Sequence, residues 1–245
     1  MTDKLGYVEA AWEVPDNITA FSTTRSGGFS KGRYSSFNMG LHVGDNKESV
    51  LNNRELLKTY YELPTEPAWL EQTHSININQ LDSNMQYSQL ADGSITSSIN
   101  TVCAIMTADC LPLFLCNRAG TKVGIIHAGW LGMANGIIEN AVNKMAIPVD
   151  QLLAWAGPCI TQKHFEIGDE VRQQLGGSES CYSASNNDGK CFANLYRLAG
   201  ERLAKLGVHK YSYSDACTYA DQDRFFSHRR DNITGRMVSL IYLTE

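Results

Sequence analysis

The chain has 245 residues, 43% of them hydrophobic, a formal net charge of -5 and a pI near 5.7. The acidic balance argues against a general nucleic-acid binder, which wants a basic face. No apolar stretch approaches the roughly 20 residues needed to span a bilayer, so no membrane partner is expected. The N-terminal stretch has no basic segment followed by an apolar run, and a cytoplasmic location is expected. Seven cysteines, an odd number with no CxxC pair, suit buried thiols better than a disulfide framework.

In chain order, a strand is expected over 19–24. A helix over 46–62 follows, with Asp45 as N-cap and Glu48 completing a capping box. Strands follow over 101–107, 111–117 and 123–128. Ala134, Ile137, Ile138, Ala141 and Met145 form one apolar face of a helix over 130–145. A strand over 152–156 and a short helix over 168–175 come next. Residues 176–190, rich in Gly, Ser and Asn, read as a surface excursion. A helix over 195–206 has Asn194 as N-cap and Gly207 as stop. Strands over 210–214 and 236–243 complete the chain. This mixture predicts an α/β (α+β) fold: a single layered domain, residues 1–245, with mixed, partly antiparallel β-sheets and flanking helices.

The most informative stretch is 101–130. Two apolar runs flank the turn residues Asn117–Gly120 and predict a hairpin. A turn centred on Arg118 and Ala119 would set Cys110 directly opposite His127, with Cβ atoms about 4.5–5.5 Å apart on one face. That spacing suits two side chains holding one ion. A turn centred one residue later would stagger them. Pro112 places this strand start at an edge or bend. The bland alternative is that both residues are simply core and rim. Asp109 is placed to orient a ligand from behind. A zinc site with an open position needs a third ligand. The chain has six histidines, and spacing alone does not choose among them.

The segments TTRSGGFS (23–30), SFNMGLHVGDN (36–46), WLEQTHS (69–75), MTADCLP (106–112), HAGW (127–130), AGPCI (156–160) and FFSHRRD (225–231) together resemble the YfiH-like family. Bacterial members of that group were first labelled multicopper polyphenol oxidases. The resemblance implies a metal site made of His74, Cys110 and His127. It also implies zinc, with copper as the alternative, and purine-nucleoside chemistry: phosphorolysis of adenosine, inosine or methylthioadenosine, and adenosine deamination. The expected partners are then purine nucleosides and phosphate, with the oligomeric state left open. The family commonly reads HAGWRG, and Leu131 replaces the Arg here.

For phosphate, Arg25, Ser26, Gly27 and Gly28 could form an anion-binding nest beside a guanidinium fork, although a glycine turn joining two strands is the commoner case. Asn38 and His42 are plausible substrate contacts, and Arg229 and Arg230 could add positive potential. For deamination, Asp109 or Glu71 is the candidate proton shuttle. Two other enzymatic readings stay open. One is a metal-free hydrolase or amidase with Cys110 as nucleophile and His127 as base, editing cell-wall precursors. The other is a copper-dependent polyphenol oxidase, for which six histidines with no H-x-H pair are too few for four coppers. A non-catalytic binding module is the least economical.

Overall fold

The computed structural model describes residues 5–81 and 88–245. Among them, thirteen strands form three sheets. β1 (Tyr7–Glu9), β2 (Ile18–Thr23), β13 (Met237–Leu243) and β5 (Cys103–Thr107) make a four-stranded antiparallel sheet in that order. A six-stranded mixed sheet runs β12 (Lys210–Tyr213), β8 (Leu152–Ala156), β6 (Leu111–Asn117), β7 (Val123–Ala128), β4 (Gly93–Thr96) and β3 (Asn79–Gln80). A small third sheet joins β10 (Tyr182–Ala184), β11 (Lys190–Ala193) and β9 (Glu166–Gly168).

Side-chain alternation along β6 explains how the layers stack. Phe114 and Cys116 face the four-stranded sheet and pack with Trp155, Ile125, Ile105 and Ile241. Leu111, Leu113 and Leu115 face the other way, onto α3 (Ile137–Met145) and α5 (Leu195–Lys205). β6 is therefore buried on both faces, which is why it reads as a continuous apolar run. α1 (Lys47–Tyr60) covers the outer face of the four-stranded sheet through Leu57, beside Phe21, Ala104 and Leu240. The mixed α/β layering expected from the sequence is what the structure has. Among the described residues, no helix is long and apolar enough to cross a membrane.

Three local expectations need correction. The N-cap of α1 is Asn46, whose side chain accepts from Ser49 N. Asp45 is diverted: its carboxylate accepts from Asn38 Nδ2 and from Asn46 N. The helix expected over 130–145 is two pieces, α2 (Trp130–Ala134) and α3, because Gly136 takes φ 94° between them and a left-handed residue ends a helix. Pro112 does not mark an edge, since β6 pairs with β7 on one side and β8 on the other. It is tolerated because pairing with β8 starts only at Leu113. The short strands β1, β3, β4, β9, β10 and β11 were not expected from the sequence, and β10 lies inside the predicted 176–190 loop. α4 (Asp169–Leu175) and α5, capped by Asn194, form where predicted.

Asn53 ties α1 to the loop that carries two of the sequence motifs. It is fully buried. Its Nδ2 donates to Ser30 Oγ and to the carbonyls of Ser36 and Asn38, and its Oδ1 accepts from Phe29 N at 2.7 Å. Truncation orphans several buried groups at once. Asn53→Ala is expected to cost about 3 kcal/mol, read as a lowered midpoint in urea unfolding. A loss below about 1 kcal/mol would show that the loop does not depend on this side chain.

Candidate metal centre

The β6–β7 hairpin is real, but its register is not the one expected. Pro112 pairs with His127 and Leu111 with Ala128, so the turn centres one residue later, on Ala119 and Gly120. Gly120 takes φ 63° there, with its N–H bonded to Asn117 O. Continued past the strand ends, this register sets Cys110 opposite Gly129, and His127 becomes its diagonal neighbour. A shift of two preserves the parity of the pleat, so Cys110 and His127 still share one face. Gly129 is needed where it stands: a Cβ there would lie 2.9 Å from His74 Cδ2 and 3.1 Å from Cys110 Sγ.

His74 completes the group from the loop after β2 and α1. Gln72 fixes that loop to β5, accepting from Met106 N at 2.7 Å and donating to Met106 O at 2.8 Å. The ligand atoms of His74, Cys110 and His127 lie within 4.8 Å of one another, an arrangement that could hold a metal ion. Cys110 Sγ is 3.9 Å from His74 Nε2, and the two imidazole centroids are 4.7 Å apart. His127 is buried, while Cys110 is partly open to solvent.

Behind the group stands Asp92, which the sequence reading missed. Its carboxylate is wholly buried. It accepts from the backbone N–H groups of Thr73, His74 and Ser75 at 3.1, 3.0 and 2.7 Å, and from Ser75 Oγ at 2.8 Å. His127 Nδ1 lies 2.8 Å from its Oδ1. With Nδ1–H donated to Asp92, His127 keeps its Nε2 lone pair for the site. The sequence held only a faint signal, an Asp-Gly step before the short Ser94–Ile95–Thr96 stretch.

Burial pushes the Asp92 carboxyl upward, but bonds from His127 and Ser75 outweigh it and hold the group at about 2. Burial also opposes the Cys110 thiolate, yet the His127 charge and the bonds from both histidines pull its pKa well below that of a free thiol. His127 is the converse case: burial lowers it, and the Cys110 and Asp92 charges and bonds more than reverse this.

The other expected site residues divide. His42 lines the same cleft as His74, Cys110 and His127, and Arg229 lines the adjoining space with Asp109. The Asp109 carboxylate does not hydrogen-bond to His74 or His127. It accepts from Thr218 Oγ1 at 2.7 Å, Ser227 Oγ at 3.0 Å and Arg229 N at 2.7 Å, anchoring the C-terminal segment. The orienting position expected for it belongs to Asp92. Arg25, Ser26 and Gly27 line a different crevice, together with Arg230, Asp223 and Asp231. Arg25 spends donors on the carbonyls of Ser35 and Gln222, and Arg230 spends its own on Thr218, Tyr219 and Phe225. Gly28 is a packing glycine, with Asn53 Oδ1 and Ser36 O 2.5 Å from any added Cβ. Asn38 is fully buried and accepts from Gly40 N and Arg236 N. Glu71 is exposed and pairs through its backbone with Gln89. Leu131 lines neither part of the cleft.

Two measurements follow from these charges. In metal-free protein, alkylation of Cys110 by iodoacetamide, followed by peptide mass spectrometry, should show a midpoint well below the free-thiol value of about 8.5. A midpoint at or above that value would remove the thiolate–imidazolium pair. The lowered Asp92 pKa contributes stability that is complete above the ordinary carboxyl value of about 4 and fades as pH falls toward the folded value. The stability gap between wild type and Asp92→Asn should therefore narrow below pH about 4. A gap that stays constant down to acid unfolding would contradict the assignment.

A sequence pattern described as multi-copper polyphenol oxidoreductase laccase matches residues 19–244. The purine nucleoside phosphorylase YfiH of Escherichia coli (strain K12) is 44% identical over 234 residues, covering 95% of this chain and 96% of that protein. A purine nucleoside phosphorylase of Haemophilus influenzae is 43% identical over 236 residues, covering 94% of this chain and 96% of that one. The crystal structure of a Neisseria meningitidis protein superposes with a TM-score of 0.91 at 38% identity, covering 98% of this chain and all of that one. With the pattern matched over nearly its whole length and such relatives at each end of the comparison, the chain belongs to the multi-copper polyphenol oxidoreductase laccase family, the YfiH-like group that its motifs resemble.

Proposed function

We propose that the protein is a zinc-dependent purine nucleoside phosphorylase that also deaminates adenosine, with His74, Cys110 and His127 as the metal ligands. The observation that carries the reading is the convergence of one thiol and two imidazoles within 4.8 Å of one another, with one imidazole backed by a buried carboxylate. The full-length likeness to relatives named purine nucleoside phosphorylase supports the substrate class. The donor set suits zinc. Bonds of about 2.3 Å to sulfur and 2.0–2.1 Å to nitrogen in a tetrahedron put donors about 3.5 Å apart, near the 3.9 Å between Cys110 Sγ and His74 Nε2. When bound, zinc supplies Lewis-acid polarisation at one remaining coordination position.

The chain's own residues do the rest. Asp92 fixes the tautomer of His127 and the backbone of His74, so the donors need little reorganisation. In phosphorolysis, a phosphate oxygen bonds to C1′ of the ribose as the C1′–N9 bond breaks. The bonding pair leaves with the purine, which takes up a proton, giving the free base and ribose 1-phosphate. In deamination, water adds at C6 of adenine and ammonia leaves, giving inosine.

A second reading uses the same atoms. Cys110, His127 and Asp92 also form the thiolate–imidazolium–carboxylate series of a cysteine hydrolase. Metal and covalent chemistry compete for one sulfur, so metal content separates them.

The decisive experiment measures zinc by elemental analysis and resolves the products from adenosine plus phosphate by chromatography. Stoichiometric zinc is expected, with adenine and inosine formed by wild type and lost in Cys110→Ala. Asp92→Asn should weaken zinc binding by about 10–100-fold. Protein free of zinc that still hydrolyses amides through Cys110 would overturn the metal reading in favour of the second.

A further inference from the structure

The cleft around the three candidate ligands has two lobes. Both are walled by His74, Ala108, Cys110 and His228. One lobe, about 210 Å³, is closed by Trp130, Ile160, Phe165 and Leu195, with Asp109 and Arg229 also along its wall. The other, about 190 Å³, is lined by His42, Gln72, Thr107, His127 and Arg236, with no carboxylate among its lining residues. The lobes thus differ in chemistry while meeting at the cysteine.

Arg236 is the one arginine of the polar lobe, and its guanidinium is only partly used. Nη1 donates to the carbonyls of Thr234 and Gly235 at 3.0 and 2.9 Å. Nε and Nη2 have no hydrogen-bond partner among the described residues. The residue is half-buried. Its backbone N–H is held by the buried Asn38 at 2.9 Å, and its stem packs on Gly40, where a Cβ would come within 3.0 Å of Arg236 Cγ. A positioned guanidinium with a free edge, in a lobe lined by no carboxylate, is a receptor for a tetrahedral oxyanion. The crevice around Arg25 is the poorer candidate, since Asp223 and Asp231 line it, Arg25 Nε is already bonded to Ser35 O so that its Nε–Nη2 edge is not open, and Arg230 is committed to three carbonyls.

We propose that inorganic phosphate binds in the polar lobe on the free edge of Arg236, with the purine against Trp130 and Phe165 in the apolar lobe. This rests on the phosphorylase reading above. Displacement at C1′ requires phosphate and base on opposite sides of the ribose. Two lobes meeting at a shared wall, one with an aromatic and aliphatic end and one with the open guanidinium edge, meet that requirement, with the sugar at the junction. Asn38 then acts on the anion only through Arg236, as a positioning residue.

The test is calorimetric titration of inorganic phosphate, and separately of inosine, into the purified metal-containing protein. Arg236→Gln should weaken phosphate binding about 10–100-fold and leave inosine affinity within about twofold, while Arg236→Lys should recover part of the loss because it keeps the charge without the fork. Thermal unfolding of each variant checks that the fold survives. If Arg236→Gln does not fold, the intermediate loss in Arg236→Lys carries the test. Absence of phosphate binding in wild type, unchanged affinity in a folded Arg236 variant, or a loss confined to Arg25→Gln would each overturn the proposal. Arg236-dependent phosphate binding without any nucleoside cleavage would uphold the anion site and refute the phosphorylase reading.

Discussion

The carboxylate of Asp92 sits wholly inside the protein and accepts bonds from three successive backbone N–H groups, one hydroxyl and one imidazole. A buried carboxylate stays ionised only when it is satisfied in this way. The constraint acts in both directions. The donors keep Asp92 charged, and the charged Asp92 holds the Thr73–Ser75 loop and the end of β7 in one place. His74 takes φ 59° within that loop, a conformation uncommon outside glycine and affordable here because its N–H is fixed.

The layered sheets bring that carboxylate to its partners. Asp92 precedes β4, β4 pairs with β7, and His127 N donates to Asp92 O at 2.7 Å. β7 pairs in turn with β6, whose first residue follows Cys110. Three adjacent chain segments therefore end at one corner of the six-stranded sheet, while Gln72 pins the His74 loop to the other sheet through Met106. A rigid two-sheet core of this kind suits a site whose donors must be held before any ligand arrives.

Two motifs that resemble family signatures combine buried support with residues that line the cleft. The 36–46 segment buries Asn38, which holds Gly40 and Arg236, and sends His42 into the cleft. The FFSHRRD segment uses Ser227 and Arg229 N to satisfy Asp109, leaving His228 and the Arg229 side chain along the cleft wall. Asp109 itself, with φ 93°, fixes the turn that presents Cys110.

The sequence by itself determined the layered α/β character, the hairpin and the grouping of Cys110 with His127 on one face. Those follow from local periodicity and turn chemistry, and pleat parity survives a register shift of two. Motif resemblance added His74. Asp92 and Arg236 were illegible, because a carboxylate or guanidinium is defined by what surrounds it. Their partners lie 18 and 35 residues from Asp92 and 198 residues from Arg236. Which arginines have donors to spare was likewise decided only by the tertiary structure. A nest written as Arg-Ser-Gly-Gly looks the same in sequence whether its guanidinium is free or, as in Arg25, already bonded to carbonyls brought in from residues 35 and 222.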